Sequence, residues 1–327
     1  MIEGSLAPWL NKYLKGFSKD RPHHSYLITG CEGLGKSALS KHLSGYLFCT
    51  NNEISICKEC QNCKFYLEDN HPDFYLIEKE QDKKNISISQ INQLREKIYE
   101  SAFLGKRKII NIPNIEQMSR DASDAMLKVL EEPPKDTFFV ITSSLVYRIP
   151  ATIRSRSLEI AIDSPTLSEF AKWMGKVNSE DVNLAYFLSS KRPYIAKDLL
   201  ELNLTALRSD FIEDIGGIIK SGKDLVNVSD RWVKQTDSLP LKLQWMSHIL
   251  MDSIKYKASK EYAEIMPDTA TMTNYLGEKS DIHNLHELLN QTNKLLSMVV
   301  SETNLRKEYQ LQSLFVDWER KLQISAI

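Results

Sequence analysis

The chain has 327 residues, 42% of them apolar and 26% charged, and its 42 basic and 43 acidic side chains leave a net charge of −1. This length predicts two or three domains with a sizeable core. No basic domain or stripe of the kind with which a protein grips nucleic acid unaided stands out, so any DNA contact is expected to be shared with partners, and no apolar run reaches the roughly 18 residues of a membrane span.

Met1-Ile2-Glu3-Gly4-Ser5 has neither the basic nor the apolar region of a signal peptide, which predicts a cytoplasmic protein. Leu6, Trp9, Leu10, Tyr13, Leu14 and Phe17 recur at helical spacing and predict an amphipathic helix over 6–19. Asp20-Arg21-Pro22 ends it. His23-His24 then stand where they would either flank a nucleotide base or simply lead into the next strand.

Tyr26-Leu27-Ile28-Thr29 reads as a short buried strand. Gly30-Cys31-Glu32-Gly33-Leu34-Gly35-Lys36-Ser37 fits G-x-x-x-x-G-K-[ST], and an apolar-periodic helix follows through Leu39, Leu43, Tyr46 and Leu47. Glycines at 30, 33 and 35 let backbone N–H groups curl around phosphate oxygens, and the helix N-terminus adds partial positive charge. Lys36 would reach the β- and γ-phosphates of ATP, with the Ser37 hydroxyl on Mg²⁺.

Cys49, Cys57, Cys60 and Cys63 follow in the pattern C-x7-C-x2-C-x2-C. Disulfides are not expected in a reducing compartment. Four thiolates suit tetrahedral Zn²⁺, and a closed four-sulfur set serves stability and leaves no coordination position for catalysis.

His71-Pro72-Asp73 precedes a strand at Phe74–Ile77, and the charged loop Glu78–Asn85 leads to a helix carrying Ile86, Ile88, Ile91, Leu94 and Ile98, capped by Ser87 or Ser89. A third strand, Ile109–Ile112, ends in Pro113-Asn114-Ile115-Glu116. A hydrolytic P-loop site requires an acid for Mg²⁺ and a neighbouring acid to polarise water here. Proline and asparagine supply neither, and Glu116 is expected where the chain is already turning away. A helix over Asp121–Leu130 stops at Glu131-Glu132-Pro133-Pro134. The strand Thr137–Thr142, a short turn through Ile149–Ser157 containing Ser155-Arg156, and a last strand over Leu158–Ile162 complete an alternation that predicts a parallel three-layer α/β sheet.

Beyond Asp163-Ser164-Pro165 the periodicity is wholly helical. Thr166 or Ser168 opens a helix with Phe170, Trp173 and Met174, and short helices follow near 180–189 and 192–202. Longer helices carry apolar stripes at Leu207, Phe211, Ile215 and Ile218; at Leu243, Met246, Ile249, Leu250 and Ile254; and at Leu285, Leu288, Leu289, Leu295 and Leu296. The last helix is placed over Leu305–Leu322.

The succession of P-loop, four-cysteine insert, His71-Pro72-Asp73, the run Met126-Leu127-Lys128-Val129-Leu130-Glu131-Glu132-Pro133-Pro134 and Ser155-Arg156 resembles the bacterial replicative clamp-loader subunits of DNA polymerase III, of the AAA+ class. The resemblance spans the chain and is strongest over 22–162. Its ATPase members end the third strand in Asp-Glu and carry a Gly-Ser-x-Arg element whose arginine senses γ-phosphate. Here Pro113-Asn114 and Lys191-Arg192-Pro193-Tyr194 stand in those places, with Tyr194 where the arginine would fall, and Ser157 replaces the cysteine of Ser-Arg-Cys. The likeness is thus to the family's non-hydrolysing member, although Lys36 and Ser37 survive and leave ATP/Mg²⁺ binding open.

The resemblance implies an AAA+ α/β domain over 1–163 with the zinc module at 49–63, a small helical lid over 164–205 and a helical collar over 206–327. It implies a ring with ATPase subunits (gamma or tau) and the delta subunit, placing the β sliding clamp on primed DNA. It also implies that Arg156 is offered in trans to a neighbour's ATP. Two other readings are an active P-loop ATPase, which Lys36 and Ser37 permit, and a zinc-ribbon nucleic-acid-binding protein, against which the near-neutral charge weighs.

Overall fold

Short apolar runs flanked by polar turns form five strands, β1 Ser25–Thr29, β2 Phe74–Leu76, β3 Lys108–Ile112, β4 Thr137–Ser143 and β5 Leu158–Ala161. They make one parallel sheet in the order β2-β3-β4-β1-β5. The three central strands are buried at every position, and the edge strands β2 and β5 are partly exposed, as expected when helices cover both faces of a parallel sheet. The computed structural model describes residues 6–17, 21–51, 56–81, 83–175, 177–201, 204–221, 224–236, 238–260, 266–300 and 306–322. The expectations placed on Met1–Ser5, Asp20 and Leu305 lie outside them, as do parts of the predicted 6–19 helix and of the Glu78–Asn85 loop.

Strand periodicity divides the core in two. Tyr26, Ile28, Ile109 and Val140 face one way, onto Leu39, Leu43 and Leu47 and the N-terminal Trp9 and Leu10. Leu27, Ile110, Ile112, Phe139 and Ile141 face the other, onto Ile91, Leu94, Met126, Leu130 and Ile153. The helices that flank the sheet are α1 Asn11–Leu14, α2 Lys36–Phe48, α3 Gln61–Leu67, α4 Ile88–Tyr99, α5 Arg120–Glu131 and α6 Ala151–Ser155. The first is shorter than its apolar spacing predicts: a 3₁₀ turn at Pro8–Leu10 runs into α1, and Gly16, a weak helix former, follows soon after. Its apolar residues still enter the core. Ser87 closes a capping box on α4 with Gln90, and Ser119 caps α5. The Asp73 carboxylate accepts the N–H groups of Phe103 and Leu104 at 2.7 Å each, pinning the loop before β3.

The chain divides into two compact units, 1–200 and 201–327. The first also contains α7 Leu167–Met174, α8 Ser179–Leu188 and α9 Pro193–Leu200, with Thr166 closing a capping box on α7 through Glu169. The second is helical throughout its described residues. It comprises α10 Leu204–Ser221, α11 Leu225–Lys234, α12 Leu239–Ala258, α13 Ala270–Lys279, α14 Ile282–Val300 and α15 Lys307–Leu322. The predicted stripes form its core around the buried rings of Phe211, Trp232, Trp245, Phe315 and Trp318. Lys242 is buried among them at 2% exposure; its Nζ lies 4.9 Å from the Trp232 ring and donates to Gln235 at 2.6 Å.

Candidate functional site

The loop between β1 and α2 carries Gly30, Gly33 and Gly35, all at positive φ, a backbone that glycine adopts without strain. Close approach is a second reason for glycine. A Cβ at Gly35 would lie 2.7 Å from the Tyr194 ring and 2.9 Å from Leu10, and one at Gly33 would lie 2.7 Å from Ile195. Lys36, 7% exposed, donates from Nζ to the Cys31 carbonyl at 2.7 Å. Burial pushes its ammonium below the ordinary lysine range, and the carboxylates of Glu116 and Glu32 counteract part of that. Ser37, in the first turn of α2, lines a cleft of about 630 Å³ with Ser40, Glu78, Asn111, Pro113 and Thr142.

Pro113 follows β3 directly, and Asn114 turns left-handed at φ 53°, its N–H donating to Thr142 Oγ1 at 3.2 Å. The expectation that Glu116 turns away needs correction. A 3₁₀ turn over Ile115–Gln117 carries it back to the end of β4, where Oε1 accepts the Ser144 N–H at 2.9 Å. Its charge acts on Lys36. Sequence reading also missed Asn111, whose buried Nδ2 donates to Ser40 Oγ at 2.8 Å and Ser44 Oγ at 3.3 Å, tying β3 to α2 behind the loop.

Above the loop stand the N-terminal turn and α9. The Tyr194 N–H donates to the Gly33 carbonyl at 3.0 Å, and the Trp9 indole N–H to the Leu34 carbonyl at 3.1 Å. Trp9, Trp173 and Tyr194 pack as an aromatic triad, with centroids 5.0 Å apart for the two indoles and 5.1 Å for Trp173 and Tyr194. The His23 and His24 rings stack at 4.5 Å, and His23 Nδ1 bonds the Ser25 carbonyl at 2.7 Å, the geometry of a strand entry.

Cys49, Cys57, Cys60 and Cys63 converge, their sulfurs all within 4.8 Å of one another. No disulfide joins them. The Cys57–Cys63 sulfur separation of 3.8 Å matches the edge of a tetrahedron with metal–sulfur bonds of about 2.3 Å. Burial works to raise the Cys60 thiol, but N–H donors at Thr50 and Cys63 outweigh it and bring the thiol down to about 6. These four residues fit a metal ion such as zinc.

Arg156 departs from the expected short turn between strands. Residues 151–155 form the helix α6, and Arg156 is its C-terminal cap. Arg154 is the partner of Glu159, at 3.0 Å, whereas Arg156 pairs with Glu131 at the end of α5, at 2.7 Å. Nothing in the sequence spacing pointed to Glu131.

A family model described as DNA polymerase III, delta subunit, matches residues 7–166, and one for the C-terminal part of the delta subunit matches 203–320. DNA polymerase III subunit delta' of Yersinia pestis is 28% identical, covering 96% of this chain and 96% of its own. That of Pseudomonas aeruginosa is 26% identical, covering 96% and 97%. A solved structure of a DNA polymerase III gamma subunit-related protein from Thermotoga maritima aligns over 96% of this chain and 98% of its own at 19% identity, with a TM-score of 0.44. No helix among the described residues is long and apolar enough to cross a membrane.

Proposed function

The chain belongs to the DNA polymerase III delta-prime (delta') subunit family of clamp-loader proteins, and on that premise we propose that it is a non-hydrolysing subunit of the complex that places the β sliding clamp on primed DNA. The observation that carries this reading is the end of β3, where Pro113 and Asn114 stand at the positions from which an ATPase holds Mg²⁺ and polarises water. Glu116 lies beyond those two positions, after the left-handed turn at Asn114, with one oxygen on the Ser144 amide.

The chain's own contribution to ATP chemistry is then Arg156, offered to nucleotide bound by a neighbouring gamma or tau subunit. A guanidinium suits this task, since its planar fork stays charged and spreads donors over the phosphoryl oxygens. ATP on this chain itself would be held by the amides of the Gly30–Ser37 loop and by Lys36, with Ser37 towards Mg²⁺. Zinc on Cys49, Cys57, Cys60 and Cys63 would brace the insert between α2 and α3 and perform no reaction. The sheet domain over 1–163 carries these sites, the helices over 164–205 act as a lid, and those over 206–327 form a collar against the ATPase and delta subunits.

The test is turnover by the isolated chain. It is expected to release phosphate from ATP no faster than its Lys36→Ala variant; a substantial rate that depends on Lys36 would make it an ATPase instead.

A further inference from the structure

Arg156 is held between two helices, with a third, longer contact from Nη1 to Ser155 Oγ at 3.5 Å. Nη1 donates to the Thr152 carbonyl in the first turn of α6 at 3.0 Å, and Nη2 donates to Glu131 Oε1 at 2.7 Å. Glu131 is itself well placed to act as an anchor. It is the last residue of α5, directly after the buried Val129 and Leu130 and just before Glu132-Pro133-Pro134. Arg154, two residues before Arg156, shows the contrast. Its partner Glu159 also accepts the Thr29 hydroxyl at 3.1 Å, so Arg154 braces the β1–β5 edge.

We propose that Glu131 is a positioning residue for Arg156, splinting its guanidinium as a preformed receptor for a phosphoryl group presented by another subunit. This rests on the trans-acting reading of Arg156 above. An untethered arginine must give up side-chain freedom at the moment it binds, and a side chain already held in place gives up less. One neutral and one charged acceptor, on different elements, set the plane of the guanidinium. They leave the rest of its N–H fork for an anion, and the side chain is 33% exposed. Glu131 is 49% exposed, so solvent screens the pair and it adds little to stability. Its effect is on geometry.

The experiment uses the complex reconstituted with its ATPase and delta subunits. DNA-stimulated ATP hydrolysis is measured across ATP concentrations for wild type, Glu131→Ala, Glu131→Gln and Arg156→Ala. In the isolated chain, the NMR order parameter of the Arg156 Nε–Hε group is compared between wild type and Glu131→Ala. Arg156→Ala is expected to remove a fraction of kcat. Glu131→Ala should reduce that same fraction about three- to tenfold with KM unchanged, and Glu131→Gln, which keeps an acceptor oxygen, should retain most of it. The order parameter should fall in Glu131→Ala. If Arg156→Ala costs activity and Glu131→Ala leaves it unchanged or raises it, the splint is wrong, and a rise would make Glu131 a restraint. An unaltered order parameter overturns it equally. If Arg156→Ala itself costs nothing, the reading of Arg156 fails and the splint falls with it.

Discussion

The amide of Tyr194 donates to the carbonyl of Gly33 at 3.0 Å, so the first turn of α9 stands on the Gly30–Ser37 loop itself. The glycines that elsewhere let a loop wrap phosphate here also admit a tyrosine ring, an isoleucine and Leu10. Lys36 is turned onto the chain's own Cys31 carbonyl. The loop and α9 are thereby packed together.

Gly35→Ala should therefore destabilise the protein, because the new methyl meets the Tyr194 ring at 2.7 Å on a backbone at φ 98°. Overpacking of this kind costs about 1–3 kcal/mol, read as a lowered thermal midpoint. Tyr194→Ala removes the ring and should bind a fluorescent ATP analogue more tightly than wild type does. Equal or weaker binding would show that α9 does not restrict the loop.

The cysteine cluster should carry one zinc per chain by elemental analysis. Cys60→Ser is expected to lose the metal and expose α3 to proteolysis, while the helical signal of residues 204–322 persists. Carefully purified protein with no metal and four readily titrated thiols would rule out a structural zinc.

Lys242 predicts a pH dependence of stability. Burial lowers its folded-state pKa to about 8 from an ordinary 10.5, with Asp214 offsetting part of the shift. Between those values the unfolded chain binds more protons than the folded one, so this lysine's contribution rises with pH. Its penalty is fully present below pH 8 and gone above about 10.5. Lys242→Met removes the charge, so the gap in urea midpoint between variant and wild type should narrow from pH 7.5 to 9.5. A gap that stays constant would mean the ammonium is not disfavoured by folding.

What could be read from the sequence was what depends on local spacing. The P-loop glycines, the C-x2-C-x2-C run and the alternation of apolar strands with 3.6-period helices each declare themselves within about fifteen residues. Pro113-Asn114 was legible because the preceding strand fixed its place. The contacts of Glu131 with Arg156, Asn111 with Ser40 and Tyr194 with Gly33 join segments that only the folded sheet brings together. Helix α6 was read as a turn because its five residues offer too short a window for periodicity. Glu116 was misplaced because a 3₁₀ turn after a left-handed residue reverses the direction its side chain takes.

That left-handed residue limits what positions 113 and 114 can carry. Asparagine tolerates φ 53° at Asn114, whereas a glutamate there costs about 1–2 kcal/mol. Placing an acid pair at 113–114 means losing a proline and forcing a strained glutamate, or else rebuilding the turn that carries Glu116 to Ser144. Any variant carrying acids at both 113 and 114 on this backbone should thus be less stable than the parent, so the turn itself resists that pair.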